Sequence, residues 1–362
     1  MPRFLKLLHG DQTIGRGPAF WVGFCVVLLG ALLYPLGADD YYVGNTAYFF
    51  IWIFMALGLS LIWGYTGMLS FGQTAFFGLA GYGYGVISIN LGSAYGLTFF
   101  ALVAAVLLAA LLALLLGYFM IYGRIGGVFF GIVTLSVTFA FSQFLAQTAG
   151  PQWRIGAARL NGYNGMGGIL PLSLPWFGEE IYIEGSILYY LLLVMLVVCY
   201  LALRILVNSR FGNVLVAIRE NPERAEMLGY DIRKYQLAIF VIGGALAGIS
   251  GAMYTSWGQF ITPATMALPA VAMPIIWVAV GGRKDLTATL VGTFVLLYVF
   301  QTVTVYSQQY ALILMGALLL LTVLFAPSGY VVAFAELLRR LTAAKPRDNA
   351  VSRRVIRRAT DD

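Results

Sequence analysis

The side chains that perform acid–base, nucleophilic or metal chemistry are few in this chain, and they stand apart. The one histidine, His9, lies in a polar leader, and the two cysteines, Cys25 and Cys199, fall in different apolar runs where they read as small buried hydrophobes. No cluster of carboxylates, cysteines or histidines has the spacing of a catalytic metal site, and no Gly-x-x-x-x-Gly-Lys-Ser/Thr loop is present to cradle a nucleotide phosphate. The apolar runs carry essentially no Asp, Glu, Lys or His away from their ends, whereas proton-coupled carriers need such groups at membrane depth. An enzyme, a cofactor bound by this chain and a proton-driven carrier are all disfavoured. If the chain drives a solute uphill, the energy enters from another subunit.

What remains is the chemistry of positioning and recognition. A polar island, Arg210 to Lys234, separates two long apolar runs. Within it Asn221 suits a helix N-cap, Pro222 the first helical position, Glu223 the positive helix end, and Gly229 the left-handed residue that closes a helix. The spacing predicts about two turns over Glu223 to Gly229, marginal in water because nucleation costs more than so few hydrogen bonds return. Such a helix folds against something, most simply a groove in a partner. The competing reading is an ordinary capped loop helix with solvated charges.

Two sets of uncharged polar residues recur at helical spacing. Thr66, Ser70 and Gln73 stand four and three apart, and Thr134, Thr138 and Ser142 four and four, so each set can form one polar stripe. Hydroxyl and amide stripes suit a path for a small polar solute. Against this, Ser and Thr in membrane helices often bond their own backbone or a neighbouring helix. Gly244, Gly248 and Ala252 recur every four residues and predict a close helix contact. Gly81-Tyr-Gly-Tyr-Gly85 lies inside an apolar run and reads as close packing with interfacial tyrosines.

The elements that position these residues are membrane helices. Hydrophobic residues make up 60% of the chain and charged ones 10%, against about 25% charged in soluble domains. The length of 362 residues accommodates roughly ten spans of about 20 residues. Apolar runs fall at 18–37, 46–65, 68–92, 96–122, 126–148, 185–206, 235–257, 267–281, 286–306 and 309–327. Ser70, Gly72, Gln73 and Gly81 to Gly85 interrupt the third, and Pro269 and Pro274 the eighth, so either can be a broken or re-entrant helix.

With ten spans and the N-terminus inside, all of the 22 basic residues except Arg154 and Arg159 fall on the inner face, while Asp39, Asp40, Glu179, Glu180 and Glu184 fall outside. That is a positive-inside pattern. The expected fold is an all-α polytopic transmembrane helical bundle with both termini cytoplasmic. It comprises a leader at 1–17, a membrane domain at 18–332 with an outer loop at 149–184 and a cytoplasmic loop at 207–234, and a basic tail at 333–362. The first apolar run is long enough to be a retained span rather than a signal peptide. The tail, with Arg353, Arg354, Arg357 and Arg358, suits anionic headgroups of the lipid bilayer better than nucleic acid.

Several motifs in order then resemble one family. Ser209-Arg-Phe-Gly212, Ala217-Ile-Arg-Glu-Asn-Pro222 and Ala225-Glu-Met-Leu-Gly-Tyr230 resemble the cytoplasmic coupling segment of permeases in ATP-binding-cassette importers of the branched-chain amino acid and urea/amide class. The resemblance takes in Gly64-Tyr-Thr-Gly-Met-Leu-Ser-Phe-Gly-Gln73, Arg124-Ile-Gly-Gly-Val-Phe-Phe, Asn161-Gly-Tyr-Asn-Gly165, Gly248-Ile-Ser-Gly-Ala-Met-Tyr254, Trp277-Val-Ala-Val-Gly-Gly-Arg283 and Phe325-Ala-Pro-Ser-Gly329. It implies a multi-pass permease of the bacterial inner membrane that pairs with a second, related permease, docks two cytoplasmic subunits that bind the ATP, and receives solute from a periplasmic binding protein.

On that model Glu223, Arg224, Ala225, Glu226 and Gly229 lie on or end the coupling helix that enters an ATPase groove. Ala225 lets the helix sit close, Gly229 turns the chain, and the charges fix register. Arg154, Arg159, Glu179 and Glu180 of the outer loop are expected to contribute to docking the binding protein. Ile261-Thr-Pro-Ala-Thr-Met266 and Ile276-Trp277 look closest to the urea and short-amide branch. That branch carries an acidic residue shortly before the Ile-Trp pair, where this chain has Ala272-Met-Pro274, so branched-chain amino acids are the broader expectation. The alternative from a different class is a secondary carrier or channel without ATPase partners, which has no need of a capped projecting helix.

Overall fold

The computed structural model describes residues 8, 10, 12–15, 17–92, 96–176 and 179–342. Arg3, Lys6, His9, Arg16 and the tail from 343 onward lie outside them. A chain this apolar must satisfy its backbone internally, and helices do so within each segment. In chain order the helices are α1 (Pro18–Gly37), α2 (Asp40–Leu59), α3 (Gln73–Ile87), α4 (Thr98–Tyr122), α5 (Gly127–Ala146), α6 (Gly185–Asn208), α7 (Arg210–Glu220), α8 (Pro222–Met227), α9 (Ile232–Gly258), α10 (Leu268–Gly281), α11 (Leu286–Thr304), α12 (Gln308–Phe325) and α13 (Tyr330–Thr342). Eight of these are long and apolar enough to cross a membrane, namely α1, α2 with its extension to Tyr65, α4, α5, α6, α9, α11 and α12. The chain is an all-α polytopic membrane bundle.

The third and eighth apolar runs form the shorter helices, for different reasons. α2 continues into a π-turn (Ser60–Tyr65), after which residues 67–72 leave the helix, with Gly67 at φ +78°. α3 then starts at Gln73. The break is confined to that stretch, whereas Gly81 to Gly85 stay helical: a Cβ on Gly81 would meet Ile261 and Thr255, and one on Gly85 would meet Met166 and Ile169. Tyr82 and Tyr84 between them are buried rather than interfacial, and the Tyr84 hydroxyl donates to the Leu170 carbonyl at 2.9 Å. In α10, Pro269 sits in the first turn, where an amide N–H has no helical partner, and Pro274 is accommodated inside a continuous helix of 14 residues.

The core is built around α9 and α2. α9 packs against α4, α3 and α2, and nearly all of the C-terminal half of α2 is fully buried, Ile51 and Ile53 to Leu57 among it. Lipid offers no hydrophobic drive between helices, so close approach of small residues does the work. Gly244 and Gly248 of α9 face Ala113 and Ala109 of α4, and Gly251 lies on the Phe77 backbone of α3. α1 contrasts with this, having no buried residue. Its Cys25 is exposed and Cys199 on α6 half-buried, so neither is the buried small hydrophobe its sequence setting suggests.

The 149–184 loop is ordered by short antiparallel pairings. β1 (Arg154–Ile155) pairs with β2 (Ala158–Arg159), and β4 (Ser173–Trp176) with β5 (Glu179–Tyr182). β3 (Met166–Gly167) pairs with β6 (Phe260–Ile261), the segment just beyond α9.

Candidate functional site

The polar island folds into two helices. Ser209 is extended (φ −78°, ψ 176°), ending α6 and opening α7. One face of α7 buries Gly212, Val214, Leu215 and Ile218, and α8 packs against α7. The Asn221 side-chain oxygen accepts from the Arg224 N–H at 2.9 Å, and Pro222 takes the first helical position. At the far end Gly229 sits at φ +86°, its N–H donates to the Glu226 carbonyl at 2.9 Å, and the Tyr230 N–H donates to the Ala225 carbonyl at 3.3 Å. That pair of bonds is a Schellman closure. Space around Gly229 is open, so glycine is required there by the backbone angle, not by crowding.

Ala225 departs from its expected role. It is 2% exposed and packs inward with Val214, Ile218, Ile232 and Tyr235. Its small side chain therefore brings α8 close to its own supporting helices rather than to a partner. The outward surface consists of Glu223, Arg224 and Glu226, with Met227 86% and Leu228 69% exposed. These two apolar residues are absent from the expected contact set. Their signal in the sequence is two large apolar side chains placed side by side in an otherwise charged, glycine-closed helix.

The island is also tied to the bundle. Arg219 Nη1 donates to the Gly64 carbonyl at 2.6 Å, while Nε and Nη2 donate to Glu220 Oε1 at 3.1 and 2.8 Å. The bonds to Arg219 hold the Glu220 carboxyl below its ordinary pKa. Nearby, fully buried Arg204 donates to the carbonyls of Leu8, Ile14 and Gly15 and to the Tyr200 hydroxyl. Asn208 Oδ1 accepts from the Gln12 N–H at 3.1 Å, and the Tyr65 hydroxyl donates to the Gln12 carbonyl at 3.2 Å. The described part of the leader is thus strapped into a polar niche, which a lone arginine at the end of an apolar run could have signalled.

The two expected polar stripes take different forms. Thr134, Thr138 and Ser142 do share one buried face of α5. Thr66, Ser70 and Gln73 do not share a helix, because the chain unwinds between Tyr65 and Gln73. Two of the α5 stripe's hydroxyls supply the unwound backbone with partners, and the third reaches a different segment. Thr134 Oγ1 accepts from the Phe71 N–H at 3.0 Å, Thr138 Oγ1 donates to the Phe71 carbonyl at 3.2 Å, and Ser142 Oγ donates to the Pro263 carbonyl at 3.1 Å. Thr66 donates to the Ile62 carbonyl, and Ser70 Oγ accepts from the Gly72 N–H. Gln73 stands apart: it is 2% exposed, and both polar atoms of its amide lack a hydrogen-bond partner among the described residues.

In the 149–184 loop, Arg154 and Arg159 are exposed and directly opposite each other across β1 and β2. Glu180 is exposed on β5, and the Glu179 side chain lies outside the described residues. The structure does not bring the arginines into an ion pair with these acids among the described residues. No group of three or more His, Cys, Asp or Glu among the described residues could hold a metal ion.

Residues 41–323 match the family model for the branched-chain amino acid transport system permease component. The chain belongs to that permease family. Among curated relatives, it is 28% identical over 162 residues to the probable branched-chain amino acid transport permease protein LivM of Methanocaldococcus jannaschii, covering 41% of this chain and 47% of that protein. It is 25% identical over 330 residues to the probable LivH permease of the same organism, covering 86% of this chain and 98% of LivH. It is also 25% identical over 344 residues to the high-affinity branched-chain amino acid permease LivM of Escherichia coli, covering 91% and 78%. No solved structure matches the chain. In this permease, the helix–cap–helix island falls within the matched region, as do both polar stripes and the paired arginines.

Proposed function

We propose that the chain is the membrane-spanning subunit of an ATP-driven importer in the inner membrane, with both termini cytoplasmic. It would carry branched-chain amino acids or related small polar solutes delivered by a periplasmic binding protein, beside a second related permease and two ATP-binding subunits. The observation that carries this reading is α8: a six-residue helix, capped at both ends, backed by α7 and presenting Met227 and Leu228 to solvent with Glu223, Arg224 and Glu226 around them. An apolar tip ringed by charge is the anatomy of a docking element, with the apolar pair supplying affinity and the charges register. Burial of Ala225 fits the same role, since it fixes the angle at which the tip is presented.

Gln73 is the best-supported path residue of the six considered, because an unpartnered buried amide at membrane depth is costly unless a solute or water satisfies it. The hydroxyls of Ser70, Thr134 and Thr138 are engaged in holding the broken segment, Thr66 bonds the Ile62 carbonyl and Ser142 the Pro263 carbonyl, so all five take second place. Arg154 and Arg159 support the docking reading for the 149–184 loop. Like charges directly across a strand pair are destabilising, so the pair favours an acidic partner surface.

The test begins with the tagged chain purified in mild detergent and its co-purifying subunits identified by mass spectrometry. The expected result is an ATPase subunit, a second permease and a binding protein, with ATP-dependent leucine uptake after reconstitution. Urea and acetamide serve as comparison solutes. Recovery of the chain alone, with transport retained, would overturn the reading in favour of a carrier or channel. Within the complex, Gly229→Val forces a branched side chain into the left-handed region and is expected to lower uptake at least tenfold while the protein still inserts. Normal coupled uptake in that variant would remove α8 from the coupling role.

A further inference from the structure

We infer that Arg219 is the positioning residue through which the island is linked to the broken membrane segment, so that displacement of α8 is delivered to the π-turn Ser60–Tyr65 and from there to residues 66–73. This rests on the importer reading and adds to it a specific joint outside the capped helix itself.

The joint is built from atoms that have little choice of partner. The π-turn ends at Tyr65, so the Gly64 carbonyl belongs to its last turn, where carbonyls lack a helical N–H. Arg219 Nη1 supplies the donor at 2.6 Å. The Arg219 side chain is only 17% exposed and is oriented by its fork onto Glu220, which leaves Nη1 aimed at the carbonyl. A charged donor on a carbonyl is among the stronger hydrogen bonds.

Gly64 is equally fixed from the opposite side. A Cβ on it would fall on the Arg283 carbonyl, in the turn between α10 and α11. Ser60 Oγ donates to that same carbonyl at 3.1 Å, and the Thr289 hydroxyl donates to Ser60 Oγ at 3.0 Å. The Arg283 guanidinium lies 4.9 Å from the Trp63 ring centroid. The π-turn is therefore gripped by α7 on one side and by the α10–α11 turn on the other. π-turns are rare and occur frequently at functional sites. Residues that follow this one run directly into the unwound stretch and Gln73.

The test uses the reconstituted complex with its ATPase subunits and leucine-loaded binding protein, and reads leucine taken up per ATP hydrolysed. Arg219→Ala is expected to lower that ratio at least tenfold while ATP hydrolysis stays within about twofold, because the ATPase interface on α8 is intact. Arg219→Lys, whose ammonium can still reach the carbonyl, is expected to restore at least a third of the ratio. Glu220→Gln keeps the Gly64 bond and is expected to leave the ratio within twofold of wild type. An unchanged ratio in Arg219→Ala overturns the proposal, and so does a parallel fall of hydrolysis and uptake, which would mean a merely structural role. If the alanine variant does not assemble, Arg219→Met is read in its place, its stem preserving the packing, with the same two criteria. Failure of the wild-type complex to show ATP-dependent leucine uptake would instead remove the functional reading beneath it.

Discussion

Two stretches of this permease interrupt its helices, and they solve the same problem with opposite means. At the island between α6 and α9, the loose backbone groups are satisfied within ten residues: Asn221 accepts from Arg224, and Gly229 lets Tyr230 reach back to Ala225. At the break between α2 and α3, the loose groups of Phe71 are satisfied by Thr134 and Thr138, more than sixty residues away on α5. The difference follows from solvent. A polar surface helix can be punctuated by its own residues with water as a second resort, whereas an unwound stretch inside a membrane bundle needs partners brought to it by another helix. A local device is portable and weak; a borrowed one makes the break depend on the whole bundle.

The comparison can be broken most severely at the junction of the two. Gly64→Val would push a branched side chain into the Arg283 backbone, where backbone on both sides cannot yield. The expected outcome is a destabilisation of about 3 kcal/mol or more, seen as loss of the monodisperse peak in detergent size exclusion. A well-folded variant of normal thermal stability would show that the π-turn is not gripped as described. Next in size, Thr134→Val keeps the side-chain volume but leaves the Phe71 N–H without its acceptor. A buried donor left unmade costs about 1–3 kcal/mol, so the unfolding temperature measured by a dye-based melt should fall by several degrees. Thr134→Ser should recover most of that loss.

The smallest effect on stability is expected from Asn221→Ala, about 1 kcal/mol or less and confined to α8. Its unfolding temperature should barely move, while hydrogen exchange at 222–229 speeds up and uptake falls. If Asn221→Ala and Thr134→Val shifted the melt equally, the distinction between a local and a borrowed solution would be lost.

That distinction also explains what the sequence makes legible. Asn221, Pro222 and Gly229 declare a helix because every group involved lies within one short window, and the structure places that helix at Pro222–Met227. The helical period of Thr134, Thr138 and Ser142 was readable too, because α5 is unbroken. The same period misled for Thr66, Ser70 and Gln73, where Gly67 takes a positive φ and the backbone of Phe71 finds its donor and acceptor on α5. Spacing along one segment carries no information about partners on another. For Gly81 to Gly85 the close-packing reading holds and the possible break does not, since glycines that admit a close neighbour look the same in sequence as glycines that end a helix. Arg204 and its hold on the leader and the pairing of Met166 with Ile261 depend on contacts far apart in the chain, and the inward turn of Ala225 depends on how α7 and the start of α9 fold back on α8.

The pairing of β3 with β6 has a mechanical reading. α9 is one unbroken helix of 27 residues, about 40 Å long at the standard rise. It starts at the Asp231 cap, immediately past the Schellman closure of α8, and ends one residue before the strand that binds Met166 and Gly167. Each end is thus fastened to a different element, one to α8 and the other to the paired 149–184 loop. If α8 docks as proposed above, α9 is the connecting rod by which its movement would reach the paired loop, a single stiff part joining the two.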